Sequence, residues 1–287
     1  MKILITTLSI GENYTRDYTL RMIEDVISLT DIDIYITTDC KNLITEKFGD
    51  TERVKINEIN RDDIQVSLPI GPNKAARDFN FNLRHLCLDH VKDIDDCVVI
   101  FTDCDNSLDW WDKELIEEFI NDKFKDGYDY FAPRADYRFR NAIDKYNTSC
   151  RKNPYNNDVL DYDSCTILWE KFFNYDMVDL DKNQIVEGVN HKWAEASIPT
   201  EYLIIFYNNN GKLSKMVNQW KWFHDYLCNR DYVHGTWAEG FEIGISCLVA
   251  DFKPFDISYY HPVWGKMFTP NGYKTGPRGG QVHATEK

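Results

Sequence analysis

The sequence predicts an α/β protein with a mixed, mainly parallel central sheet flanked by helices. Three observations predict it. Short apolar runs of strand length alternate with segments of helical period through the first part of the chain, the pattern of strands joined by helical crossovers. One of these runs, Val98-Val99-Ile100-Phe101, is apolar without a break, as a strand buried on both faces requires. No linker, repeat or low-complexity block divides the 287 residues, and 43% of them are hydrophobic, enough for one large core.

Taken in order, Ile3 to Leu8 reads as the first strand, preceded by Lys2. Leu20, Ile23 and Ile27 follow helical spacing. Asp33 to Thr38 is a strand that ends at Thr38-Asp39, and Val54 to Glu58 is the next. Phe79, Leu83 and Leu86 mark a helix that leads to the strand Cys97 to Thr102. Leu115, Phe119 and Ile120 mark the helix after it, with Asp109 or Asp112 placed to cap its start. Tyr128 to Pro133, Cys165 to Trp169 and Tyr202 to Tyr207 are further strands. Asn208-Asn209-Asn210-Gly211 is a turn, after which Leu213, Val217, Trp220 and Leu227 form an amphipathic helix. Phe255 to Tyr260 is the last strand. The reading is of one domain over 1–287, in two halves at 1–110 and 111–265 followed by a basic, glycine-rich tail at 266–287.

In a sheet of this class ligands bind beyond the carboxyl ends of the strands. Thr7, Asp39 and Asp103 all fall at such ends. Asp103-Cys104-Asp105 is the most informative feature there. The acids sit where the strand leaves the sheet, and alternating residues at a strand end point to the same side, so both carboxylates are expected to reach one divalent ion. Magnesium and manganese are held in this way, by one or two carboxylates with phosphate oxygens completing the shell. Acids after a strand also serve as turn residues and caps.

Other features narrow the function classes. A net charge of −14 disfavours broad binding to nucleic acid or acidic membrane. Aromatics reach 14%, with 8 Trp and 17 Tyr, and aromatic faces are platforms for sugars and bases. No stretch approaches a membrane span, and the segment Met1 to Ile10 is too short and too weakly basic for a signal peptide. The 8 Cys include no CxxC pair, which predicts reduced thiols and a cytoplasmic protein (host cytoplasm if viral). His85, Cys87 and His90 do not share one helix face, so core packing is expected over zinc binding.

Several segments resemble the GT-A fold glycosyltransferases, nearest in layout to the small retaining families six and eight. Ile5-Thr6-Thr7-Leu8-Ser9-Ile10-Gly11 with Tyr14 is similar to their opening strand and nucleotide loop. Ile34-Tyr35-Ile36-Thr37-Thr38-Asp39 is similar to their second strand, and Asp103-Cys104-Asp105 to their metal motif. The resemblance implies that Thr7, Ser9, Gly11, Tyr14, Asp39, Arg84 and Asp103 contact a nucleotide sugar. Trp237-Ala238-Glu239-Gly240-Phe241-Glu242 resembles the acidic helix start that carries the catalytic or acceptor-contacting acid, first Glu239 and then Glu242. Two acids at a helix start are also what the helix dipole favours. His261-Pro262-Val263-Trp264-Gly265-Lys266 resembles a shortened family-eight motif, implying His261 as a third metal ligand and Lys266 on diphosphate; it departs from that motif after Lys266, where Met and Phe follow. His283 is a lesser metal candidate.

The function expected is transfer of a sugar from a nucleotide sugar, a UDP-sugar first, to an acceptor hydroxyl with Mn2+ or Mg2+, with retention. The acceptor is open between glycan, protein, lipid and modified nucleobase, and Arg134 to Lys152 is the basic stretch that could face it. Two alternatives stand beside it. A nucleotidyltransferase acting on a sugar phosphate would want a Gly-rich basic loop after the first strand, where Thr6 to Tyr14 has only Gly11 and no Lys. A carbohydrate-binding module with a structural divalent ion would not turn the donor over.

Overall fold

Strand Cys97–Thr102 stands at the centre of a seven-stranded sheet, and all six of its residues are buried. The computed structural model describes residues 1–60, 84–108, 111–133, 203–228, 243–244, 246–247 and 250–257. Within them the strands are β1 (Lys2–Ser9), β2 (Asp33–Thr38), β3 (Val54–Glu58), β4 (Cys97–Thr102), β5 (Tyr130–Pro133), β6 (Leu203–Asn208) and β7 (Pro254–Ile257). Their order across the sheet is β3-β2-β1-β4-β6-β5-β7. β1, β2, β3 and β4 are mutually parallel, β6 runs antiparallel to both β4 and β5, and β5 and β7 are parallel again. This is the mixed, mainly parallel sheet that the alternation of elements predicts.

The pleat sorts the side chains into two layers. Ile3, Ile5, Ile34, Ile36, Val98, Ile100 and Ile205 face one side. There they meet Met22, Ile23 and Val26 of helix α2 (Leu20–Leu29) and Ile116, Phe119 and Ile120 of helix α5 (Lys113–Lys125). Leu4, Val99, Phe101, Ile204 and Phe206 face the other side. Against them lie Cys87 and Leu88 of helix α4 (His85–Asp89) and Leu213, Met216, Val217 and Trp220 of helix α6 (Lys212–Cys228), with Ile243 and Cys247 beside them. Each such aliphatic or aromatic side chain contributes about 1.5–3 kcal/mol by leaving water, so the faces of β4 anchor the molecule.

Local chemistry sets the element ends. A short helical turn α1 (Glu12–Tyr14) and a π-helical turn (Thr15–Thr19) run directly into α2. α2 stops where Thr30 turns extended, and Arg53 donates to the carbonyls of Ile27 and Thr30, both at 2.7 Å, satisfying the exposed carbonyl end. Of the two capping candidates for α5, Asp112 takes the position, accepting from the Leu115 amide at 3.1 Å; Asp109 lies outside the described residues. Helix α3 (Lys41–Phe48) joins β2 to β3. β2, β3 and β4 have the bounds predicted from sequence. β5 starts two residues later than Tyr128, because Tyr128 closes the turn after α5 by donating to the Lys123 carbonyl. His85 packs on Trp220 and His90 edge-on to Tyr35, each within the core layers. Among the described residues no helix is long and apolar enough to cross a membrane.

Candidate functional site

Three parallel strands end on one edge of the sheet. Ser9 of β1 is the register partner of Thr38 of β2, and β4 stops at Thr102 on the other side of β1. The chain then leaves β1 through Gly11, whose φ of 92° and ψ of 145° only glycine adopts without strain. The Gly11 amide donates to Oδ1 of Asp39 at 2.8 Å, and the Cys40 thiol donates to the same oxygen at 3.2 Å. Asp39 therefore stitches the loop after β1 to the end of β2.

Hydroxyls hold this loop from beneath. Ser9 Oγ lies 2.9 Å from Thr15 Oγ1 and 2.6 Å from Thr19 Oγ1, and Thr15 Oγ1 donates to the Gly11 carbonyl at 3.0 Å. The π-helical turn brings Thr15 and Thr19 to one face, and insertions of this kind recur at functional sites. Ser9 and Thr7 are fully buried. The resemblance implies that both contact nucleotide; the structure places the Ser9 hydroxyl inward, on Thr15 and Thr19, where it supports the loop that would make that contact. The Thr7 hydroxyl is also buried and has no hydrogen-bond partner among the described residues. Thr15 and Thr19 were not singled out from sequence. The available signal is a hydroxyl pair four residues apart just after Ser9-Ile10-Gly11.

The two acids are presented differently from the expectation. The pleat does not carry on through them: β4 ends at Thr102 and the backbone turns at once, with the Asn106 amide donating to the Asp103 carbonyl at 3.2 Å. The turn is pinned by buried Asn106, whose side chain donates to Thr102 Oγ1 at 3.0 Å. Asp103 faces Arg84, whose Nη2 is 3.0 Å from Oδ1 and 3.1 Å from Oδ2. Asp105 is 6% exposed, and its Oδ1 is buried without a hydrogen-bond partner among the described residues. The hydroxyl of Tyr14 is directed at Asp105. Burial first, then the charge of Cys104, Asp105 and Asp103, holds that phenol well above its ordinary value, so it stays a proton donor. Cys104 points down between the acids into the core, where burial and Asp105 push its thiol up; Thr19 and Ser9 oppose this in part.

Gly11, Tyr14, Asp39, Arg84, Asp103 and Asp105 thus come to one edge. Glu239, Glu242, His261, Lys266, His283 and the stretch from Arg134 to Lys152 lie outside the described residues. Asp103 and Asp105 fit a divalent cation in one specific respect: a buried carboxylate oxygen without a donor is costly to a fold unless a positive group meets it. Among the described residues, no group of three His, Cys, Asp or Glu side chains could hold a metal. A cation held by these two acids would draw the rest of its shell from elsewhere.

No protein-family model matches the chain, and no curated protein matches it. Among solved structures it is similar to a CMP:2-keto-3-deoxy-manno-octonic acid synthetase complexed with CTP, at 9% identity over 90% of each chain with a TM-score of 0.36. That likeness is too loose for any activity to be read from it.

Proposed function

We propose that this chain is a metal-dependent transferase of sugar-nucleotide chemistry, and within that class a glycosyltransferase that moves a hexosyl or pentosyl group from a UDP-sugar to an acceptor hydroxyl. The observation that carries the reading is the buried, donor-less Oδ1 of Asp105 beside Asp103, at the carboxyl ends of parallel strands. A divalent ion on these acids would supply Lewis-acid neutralisation of a departing diphosphate.

The residues divide the remaining work. The loop at Gly11, fixed by Asp39 and underpinned by Ser9, Thr15 and Thr19, shapes the nucleoside pocket. Tyr14 donates to Asp105 and presents a half-buried ring beside it. Arg84 brings positive charge to the phosphate side. Glu239, with Glu242 as the second choice, works at the sugar as nucleophile or ion-pair partner of an oxocarbenium-like state; His261 adds a ligand and Lys266 a phosphate contact. The Gly11 amide is spent on Asp39, which leaves it unable to cradle a triphosphate and weighs against nucleotidyl transfer.

The test is turnover of labelled donors with and without Mn2+, in wild type and Glu239→Gln. Glycosyl transfer predicts Mn2+-dependent release of UDP, including slow transfer to water, and loss of that release with donor binding retained in Glu239→Gln. Pyrophosphate release from a nucleoside triphosphate and a sugar phosphate would establish the nucleotidyltransferase alternative instead. Donor binding without any turnover would leave a binding module.

A further inference from the structure

The segment from Gly11 to Thr19 touches the turn at Asp103–Asp105 at two points. Tyr14 directs its hydroxyl at Asp105, and Thr19, with Ser9 after it, lies within hydrogen-bonding reach of the Cys104 thiol. Ser9 of β1, Thr15 and Thr19 are fully buried, and Cys104 is 1% exposed. Bulk water does not reach these groups, so their protons go to protein partners.

A hydroxyl carries one proton and two acceptor sites, which fixes the direction of each bond in this group. The Gly11 carbonyl can only accept, so Thr15 donates to it across 3.0 Å. Ser9 then donates to Thr15 across 2.9 Å, and Thr19 donates to Ser9 across 2.6 Å. The Thr19 oxygen is left as acceptor for the Cys104 thiol. The result is one directed chain that runs from the acid turn, through the π-helical turn, to the loop that leaves β1. On its other side that loop is closed by Asp39, which accepts from the Gly11 amide at 2.8 Å.

Resting on the metal-dependent sugar-nucleotide reading above, we infer that Thr19, acting with Ser9 and Thr15, is a positioning residue that sets the spacing between the nucleoside loop and the two acids. A nucleoside diphosphate with its cation bridges that spacing, with the nucleoside at the loop and the phosphates at the acids. Binding both ends of one molecule gains most when the two subsites are held at the molecule's own span, and less when the span varies. Loss of one hydroxyl therefore weakens a ligand that occupies both subsites and leaves a ligand of either single subsite nearly unaffected. A residue that only supports the fold would weaken all of them alike.

Equilibrium dialysis of labelled UDP against the full-length protein in excess Mn2+, with displacement by uridine and by inorganic pyrophosphate, measures the three affinities. In wild type, UDP is expected to bind at least about tenfold more tightly than either fragment. Thr19→Val keeps the shape of the side chain and removes its proton. UDP then weakens by about tenfold, while uridine and pyrophosphate stay within about twofold of wild type. Thr19→Ser keeps the hydroxyl and returns UDP to within about threefold of wild type. Ser9→Ala breaks the chain at its middle and shows the same pattern where Thr19→Val does not fold. A folded variant with unchanged UDP affinity, a variant that weakens either fragment as much as UDP, or a Thr19→Ser protein that binds as Thr19→Val does overturns the inference and leaves the metal-nucleotide reading standing. Wild-type protein that binds no UDP, or from which neither fragment displaces it, removes that reading and the inference with it.

Discussion

The two ends of β4 place polar groups in the same core and treat them in opposite ways. At the amino end, Cys97 pairs with Asn208, a fully buried residue. Its amide donates to the carbonyls of Lys92 and Ile94, both at 2.8 Å, and its Oδ1 accepts from the Leu213 amide at 3.1 Å. Those bonds tie the start of β4, the end of β6 and the start of α6 together. At the carboxyl end, Thr7 Oγ1 and Asp105 Oδ1 are buried without hydrogen-bond partners among the described residues, and Asp103 pairs with Arg84. A buried polar group that is satisfied contributes to the fold; one that is not costs the fold free energy and waits for something else. The contrast separates a structural end of one strand from the end where the proposed site lies.

The largest effect expected is at the functional end. Asp105→Asn should lower metal-dependent turnover by at least about a thousandfold, because a neutral amide replaces a charged ligand. Its stability in urea should stay within about 1 kcal/mol of wild type, since Oδ1 makes no hydrogen bond among the described residues and the Asn side chain keeps one oxygen to accept from the Tyr14 hydroxyl. A large loss of stability with little change in turnover would reverse the roles assigned to the two ends.

The matching change at the structural end is Asn208→Ala. Three hydrogen bonds, each worth about 1 kcal/mol, disappear, and the Leu213 amide is left buried without its partner, so a loss of about 3 kcal/mol or more is expected. Urea unfolding measures it directly. A loss below about 1 kcal/mol would mean that satisfaction of buried groups does not distinguish the two ends.

Much of this contrast could be read from the chain before its structure, and the reasons for the rest are physical. β2, β3 and β4 were legible to the residue because apolar or alternating runs stop at polar residues. The acids at 103 and 105 were legible as a pair. Their presentation was not, because the turn begins directly after Thr102, where a continued pleat assumes extended chain as far as Asp105; Asp103, Asp105 and Asn106, all turn-favouring residues, were its trace. Asn208 read as the first residue of a turn, yet it closes β6 and is buried, since the two carbonyls it donates to, those of Lys92 and Ile94, lie more than a hundred positions away in the chain. The Ser9–Thr15–Thr19 hydroxyls were illegible for a related reason: a π-helical turn has no periodic signature over five residues.

The smallest effect sharpens the comparison from the structural end, where polar atoms of the helix before β4, His90 Nδ1 and Asp89 Oδ1 included, are also buried without a hydrogen bond among the described residues. His90 closes α4 and packs edge-on to Tyr35, and its Nδ1 is buried without a hydrogen-bond partner among the described residues. Burial lowers its pKa from the ordinary value of 6.5, while the charge of Asp89 pulls it partly back. The sign follows from linkage. Below its ordinary value the unfolded His90 takes a proton that the folded one resists, so stability is full above pH 6.5 and is lost as pH falls through the lowered folded value. Neighbouring Asp89 cannot mimic this. For Asp89, burial is outweighed by Lys92 and Lys221, which hold its pKa below 3.8, so its own contribution is lost only in a more acidic window. Thermal melting followed from about pH 7.5 to about pH 5 should therefore show a modest decline in wild type and a flatter profile in His90→Gln. Equal slopes would remove His90 as the source, and a steeper slope in the variant would show that the ring is stabilised by its proton and not burdened by it.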